Sequence, residues 1–347
     1  MSIVVLKLPN VKRESEVRPK QCSYCEGRTF QRWGQVKKNV RDTKKRTVRV
    51  YRYRCCHCHR TFRYYPEGSS VADQTERLKL FAVICWMMGL SHRSVSRMLN
   101  GLDIGLSHMS VWRDAQGQAK QIQKQNRWRK VRVLGVDGAV VLGWGEQRPV
   151  LVAVDMGQGD VVEVGYVNEY NPQAVECWLR SLMQRLGVGV IVTDDLAVYR
   201  VVTERLQLGH QVCQFHVRRW LGKTLKQLRK QIPKEWQWVM DEVEELIEYL
   251  PPAGDKRLYW LWQRMASAHR TGRGKPLTAL QQLRDLLLRL SHRWQSYCTY
   301  QFEEVPWTNN RTEQAIGRMK MRARTVRGYK TWSGMQTGLL LAGSLNF

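Results

Sequence analysis

Three periodicities divide the chain. RTVRVYRYRC (residues 46–55) alternates aliphatic or aromatic with basic positions, which predicts a strand with one charged face. Residues 72–120 switch to helical spacing. Thr75 is placed to cap a helix running to Met88, Ser91 a second from Arg93 to Leu99, and Ser107 a third through Trp112 to Gln118. From residue 131 long apolar strands take over. VRVLGVDGAVVL is broken by Asp137, and RPVLVAVDMGQGDVVEVGYV reads as a hairpin turning at the glycine-rich 157–159. NPQAVECWLRSLMQRLG predicts an amphipathic helix, capped by Asn171 with Pro172 at its first position. VGVIVTDD is a short buried strand, AVYRVVTERLQ a helix and HQVCQF a fifth strand. Residues 217–300 read as helical throughout, with an acidic stretch (Asp241 to Glu248), a Pro-Pro-Ala-Gly break at 251–254 and a basic loop, RTGRGK, at 270–275. Their tryptophans, Trp236, Trp238, Trp260, Trp262 and Trp294, are most simply core.

The order β-β-β-α-β-α-β is that of an RNase H-like core, in which helical crossovers extend an antiparallel meander with parallel strands. The predicted fold class is α/β. An RNase H-like mixed-sheet catalytic core is interrupted by an all-α insertion and preceded by a small zinc ribbon and a helix-turn-helix. The expected boundaries are 1–70 for the ribbon, 71–127 for the helix-turn-helix, 128–216 for the first part of the core, 217–300 for the insertion and 301–347 for core completion. That topology sets the first and fourth strands side by side, and ligand sites form at strand carboxyl ends. It therefore makes neighbours of Asp137 and Asp194, 57 residues apart.

Charge narrows the partner class. The 347 residues hold 57 Lys+Arg against 30 Asp+Glu, a net charge of +27. Such a surface repels itself unless it meets a polyanion, so nucleic acid is the expected partner class. Residues 1–70 alone carry 18 Lys/Arg and 5 Asp/Glu. Within them Cys22-x-x-Cys25 and Cys55-x-x-Cys58 are separated by 29 residues. Two thiolate pairs at that spacing complete a tetrahedron, predicting one structural Zn²⁺. Cys56, His57 and His59 are read as surface side chains beside the second pair. Nine cysteines with no export pattern indicate a reducing cytoplasm, where the protein would associate with the nucleoid. The longest apolar run, Leu78 to Leu90, contains Lys79 and falls short of the ~20 residues that span a bilayer. No membrane partner is expected. If the three helices form a helix-turn-helix, the expected base readers are Ser107, His108, Ser110 and Arg113.

The tail PWTNNRTEQAIGRMKMRARTVRGYK carries the most chemistry. Thr308 or Asn309 is placed to cap a helix beginning near Arg311, with Glu313 in its first turn, where a carboxylate is favoured. From 311 to 330 there are seven basic residues and one acid. A single carboxylate among so many cations suggests a metal ligand beside a phosphate track. Arg311, Lys320, Arg324, Arg327 and Lys330 are the expected phosphate contacts.

At these residues the chain resembles the bacterial insertion-sequence transposases of the DDE class. The matching pieces are VLGVDGA, VIVTDDLAVY, the Cys-x-x-His of HQVCQFHVRRW, and TNNRTEQAIGRMKMR ending in RGYK, spread over roughly 131–347. The resemblance implies that Asp137, Asp194 and Glu313 form a catalytic triad holding two Mg²⁺ (or Mn²⁺) ions, with Asp195 the alternative to Asp194. It also implies an end-binding role for the N-terminal modules. Cys213 and His216, expected at the end of the fifth strand, are placed to support the site. The activity so implied is metal-dependent cleavage at the element's ends and transfer of the 3′-hydroxyl to target DNA, by a homodimer or higher oligomer on DNA. The alternatives are a transposase-derived DNA-binding regulator and a nuclease that does not join its products.

Overall fold

The computed structural model describes residues 8–11, 18–265 and 276–344. The basic loop at 270–275 lies outside them. The chain forms two compact units, Met1–Ile122 with Met321–Phe347, and Gln123–Lys320.

In the first unit three antiparallel strands, β1 (Phe30–Asn39), β2 (Thr47–Cys55) and β3 (Thr61–Tyr64), form a sheet in that order. The alternation read from β2 buries Val48 and Val50, which pack with Val11 and Val40. Three helices follow: α1 (Glu76–Met87), α2 (His92–Asn100) and α3 (His108–Arg127). Thr75, Ser91 and Ser107 each accept a backbone N–H three residues on, satisfying donors that a helix start leaves free. α3 continues to Arg127, past the predicted end at Gln118. Ala115 and Ala119 bury one face, and good helix formers beyond outweigh the ~1 kcal/mol penalty of Gly117. The C-terminal helix, Trp332–Gly343, completes this unit, and Leu339, Leu340, Leu341 and Ala342 are buried on it.

The second unit is built on a five-stranded mixed sheet. Strand β4 (Val133–Gly143) pairs antiparallel with β5 (Glu146–Asp155), which pairs antiparallel with β6 (Val161–Gly165). On its other edge β4 runs parallel to β7 (Val190–Thr193), and β7 parallel to β8 (Gly209–Val212). The spatial order β6-β5-β4-β7-β8 is the RNase H-like one, with the first and fourth core strands adjacent. α4 (Pro172–Leu186) and α5 (Ala197–Leu206) make the crossovers and bury Val175, Leu179, Tyr199 and Val202 against the sheet.

The sheet ends earlier than HQVCQF predicts. β8 stops at Val212 and Cys213 opens helix α6 (Gln214–Leu228), so His216 lies in the first turn of a helix and not on a strand end. α6, α7 (Gln237–Tyr249), α8 (Gly254–Arg264) and α9 (Ala279–Phe302) surround a separate apolar core. Trp294 is buried at its centre and donates from Nε1 to the Pro251 carbonyl at 2.9 Å. Trp236, Trp260 and Trp262 pack against that core, whereas Trp238 is 42% exposed, correcting its expected place inside. The acidic stretch pairs locally, Asp241 and Glu244 with Arg229 and Glu242 with Arg257. Such exposed pairs contribute ~0–1 kcal/mol each.

α10 (Asn310–Thr325) returns to the sheet. Its first turn lies on β4 at Gly135, where a Cβ would stand 2.2 Å from Thr312 Oγ1 and 2.8 Å from Asn309 Oδ1. Only glycine leaves room for that approach. Gly135→Ala is expected to destabilise the second unit by about 1–3 kcal/mol through overpacking. A lowered denaturant midpoint with unchanged slope would show it.

Candidate active site and cysteine cluster

β4 is buried from Val133 to Val136, and Asp137 follows as the first partly exposed position. Gly135 stands opposite Val192 in the parallel pairing of β4 with β7. Two residues further along that register, Asp137 faces Asp194, which follows the last residue of β7. A third acid joins them. Glu169 sits in the loop between β6 and α4, and ligand oxygens of Asp137, Glu169 and Asp194 lie within 4.8 Å of one another. Its carboxylate accepts the Tyr199 hydroxyl at 2.6 Å, and Tyr199 is fully buried on α5. Gly138 makes the space, since a Cβ there would come within 2.2 Å of Glu169 Oε2. Sequence reasoning misses Glu169 because it stands in a loop at no diagnostic spacing.

Among these close and partly buried acids, Asp137 and Asp194 resist ionisation. Burial first, and then the charges of Glu169 and Asp194, push Asp137 up to about 7. Burial and Glu169 push Asp194 up to about 6. Asp195 is turned away from this group. It accepts from Arg289 and Arg293 on α9, each at 2.6 Å, so its charge is already met.

Glu313 is held beside a different pair. Asn309 donates its backbone N–H to Cys213 Sγ at 3.3 Å and its side-chain amide to the Val136 carbonyl at 3.1 Å, clamping the start of α10 between α6 and β4. Asn309 thus anchors the helix start through β4 rather than by the side-chain cap expected of it. In the first turn, Glu313 Oε1 lies 3.7 Å from His216 Nδ1, and neither atom has a hydrogen-bond partner. Cys213, His216 and Glu313 present ligand atoms within 4.8 Å of one another. The hydrogen bond with Cys213 is the main cause that raises His216 to about 9, so the imidazole is protonated at neutral pH. Burial alone would raise the Cys213 thiol, but His216 and the Asn309 N–H outweigh it and lower it. His216 also acts electrostatically on both Asp137 and Asp194. The structure therefore brings Asp137 and Asp194 together with Glu169, and places Glu313 with Cys213 and His216.

The remaining predicted residues fall into three groups. Ser107 and Ser110 bond each other at 3.0 Å while capping α3, so their hydroxyls serve the helix start, whereas His108 and Arg113 are exposed. Arg311, exposed, donates from Nη1 to the Met156 and Gly157 carbonyls at the β5–β6 turn. Lys320, Arg324, Arg327 and Lys330 are exposed.

In the first unit Cys22, Cys25, Cys55 and Cys58 gather with sulfurs within 4.8 Å, at 3.8 Å between Cys22 and Cys58 and 3.6 Å between Cys25 and Cys55. Backbone N–H groups of Tyr24 and His57 point at Cys22 Sγ and Cys55 Sγ, both at 3.4 Å. Four sulfurs with N–H donors aimed at two of them suit Zn²⁺. Cys56, His57 and His59 are exposed beside the cluster. The oxygen-only set of Asp137, Glu169 and Asp194 suits a hard cation such as Mg²⁺, as does the unpartnered Glu313 Oε1.

The strand order and the acids, Asp137 within β4 and Asp194 just past β7, define a class, an RNase H-like core carrying a carboxylate cluster. The chain belongs to the IS66 transposase family: the model described as Transposase IS66 family matches residues 158–337, just over half of the chain. That stretch includes Asp194 and Glu313 and begins after Asp137. Membership makes this a transposase-type protein that acts on DNA. Among solved structures the catalytic core domain of BIV integrase is similar, at 14% identity and a TM-score of 0.20, over 46% of this chain and 82% of that one. The fold assignment rests on strand order and register and not on that likeness. No curated protein matches the sequence. No helix among the described residues is long and apolar enough to cross a membrane.

Two outcomes follow. Asp137 and Asp194 hold protons in the folded state at pH values where an unfolded chain has released them, so they destabilise the fold as pH rises from about 4 to about 7. Asp137→Asn should raise stability in chelator at pH 8 by on the order of 2 kcal/mol, and much less at pH 4, as read by chemical denaturation. Cys22→Ser or Cys58→Ser should lose one equivalent of zinc by elemental analysis and unfold the ribbon. Full zinc content in those variants would refute the ligand assignment.

Proposed function

We propose that the protein is a DNA transposase that binds the ends of an insertion sequence and carries out metal-dependent strand cleavage and transfer of the 3′-hydroxyl end to target DNA. The observation that carries this reading is the meeting of Asp137, within β4, and Asp194, just past the parallel strand β7, beside a helix start seated on β4 at Gly135 that carries Glu313 in its first turn. Asp137, Asp194 and Glu313 are the proposed catalytic acids, and Glu169 adds a fourth oxygen donor. Two Mg²⁺ (or Mn²⁺) ions held by these acids would stabilise the charge on the attacking and leaving oxygens of an in-line displacement.

The chain's own groups supply the rest. Asp137 and Asp194 repel each other until a cation or proton neutralises them, so the site is built for positive charge. Protonated His216 fixes Glu313 by ion pairing and is a proton donor beside the site. Cys213 positions His216 and, through Asn309, the start of α10. The reaction acts on double-stranded DNA at element ends and target, with one structural Zn²⁺ in the cysteine cluster. Two ends require two active sites, hence a dimer or higher oligomer on DNA.

The test is a cleavage and joining assay with Mg²⁺ or Mn²⁺ on the DNA flanking the gene. Asp137→Ala, Asp194→Ala and Glu313→Ala should each lower joined product at least 100-fold, while Asp195→Ala keeps activity if it still folds. Cutting without joining would mark a nuclease. Tight end binding with no chemistry would mark a regulator.

A further inference from the structure

The first unit contains a groove of about 620 Å³ that the proposed chemistry does not use. Its wall includes Trp86, His92, Trp112, Arg322, Arg327 and Lys330. Arg322 is the anomaly. It is 2% exposed, its guanidinium lies 4.3 Å from the Trp86 ring centre, and one of its nitrogens bonds the Thr325 hydroxyl at 2.8 Å. Its Nε has no partner, and no carboxylate pairs with it among the described residues. A buried guanidinium without a counter-charge is expensive unless an anion completes it. Burial accordingly lowers its proton affinity, opposed only by the neighbouring Tyr329 phenol, and no carboxylate contributes.

The rest of the wall suits the same ligand. No acidic residue among the described ones lines the groove, and Arg327 and Lys330 add exposed cations. α2 begins at Ser91 and the C-terminal helix at Thr331, both on the wall, so two positive helix ends also lie there. Trp112 is 44% exposed and presents an aromatic surface that no neighbouring ring covers among the described residues. An isolated phosphate needs no such surface. A nucleotide does, because stacking on an aromatic side chain stabilises any base.

We infer that this groove binds an unpaired nucleotide of a DNA strand, its phosphate at Arg322 and its base against Trp112. The choice of DNA as the anion rests on the proposed function, while the need for an anion rests on Arg322 alone. The site is separate from the acids in the second unit and requires none of their chemistry.

The experiment uses full-length protein carrying Asp137→Asn, so that binding is read without catalysis. Photocrosslinking with an octathymidylate bearing one 5-iodouracil should label Trp112, as mapped by mass spectrometry. The same label inside a duplex should not reach it. Affinity for unlabelled octathymidylate, read by titration calorimetry, should fall about 5- to 100-fold in Trp112→Ala, the range of one stacked base. Arg322→Met should lose at least as much, and Lys330→Gln, at an exposed position, covers the case in which Arg322→Met fails to fold. Inorganic phosphate at equal ionic strength should compete weakly. Unchanged affinity in both Trp112→Ala and Lys330→Gln, crosslinks that avoid Trp112, or equal labelling by duplex would each overturn the inference. Binding of phosphate as tight as that of the octathymidylate would overturn the choice of DNA. A failed joining assay with the crosslink intact would count against the proposed function and leave this site standing.

Discussion

The close approach of α10 to β4 at Gly135 is the constraint on which the second unit's chemistry depends. A strand and a helix turn are brought to a distance that excludes a methyl group, and Asn309 bridges the gap to Val136 while its own N–H reaches Cys213. That contact fixes which way the first turn of α10 faces. Glu313 and Cys213 are 100 residues apart in the chain, with α7, α8 and α9 between them, and nothing local links them. The helical insertion has its own apolar core and so can be accommodated without disturbing the seat.

Electrostatics then explains the side-chain arrangement. Asp137, Glu169 and Asp194 form a carboxylate cluster in which the protonation of Asp137 and Asp194 is pushed toward neutral pH, while Asp195, one residue from Asp194, is compensated by two arginines. The distinction between adjacent aspartates is therefore made by α9 and not by β7. His216 stands beside Glu313 as a positive charge that also acts on Asp137 and Asp194. Each feature favours occupation by cations and gives the protein a site less stable than its surroundings, as functional sites often are.

The first unit follows a different economy. Its strands bury few side chains, and its small core is supplemented by four sulfurs drawn from two tight turns. Its helices are conventional in their caps, and the exception is a buried arginine with no acid to meet it.

Much of this was determined by sequence alone. The apolar strands, the capped helices, the paired cysteines and the order of elements are local or periodic properties, and order is enough to name a topology in which Asp137 and Asp194 meet. Other features had no local signal. Glu169 gains its meaning from Gly138 and Tyr199, which reach it from other elements. Arg311 looks like a phosphate contact in a basic run, but its reach to the β5–β6 turn depends on where α10 is seated. Cys213 and His216 read as strand because their apolar and aromatic neighbours suit either state, and only packing of α6 decides for helix. Sequence sets what each segment prefers, whereas which charges face one another is a property of distance in space, and the tertiary structure alone decides it.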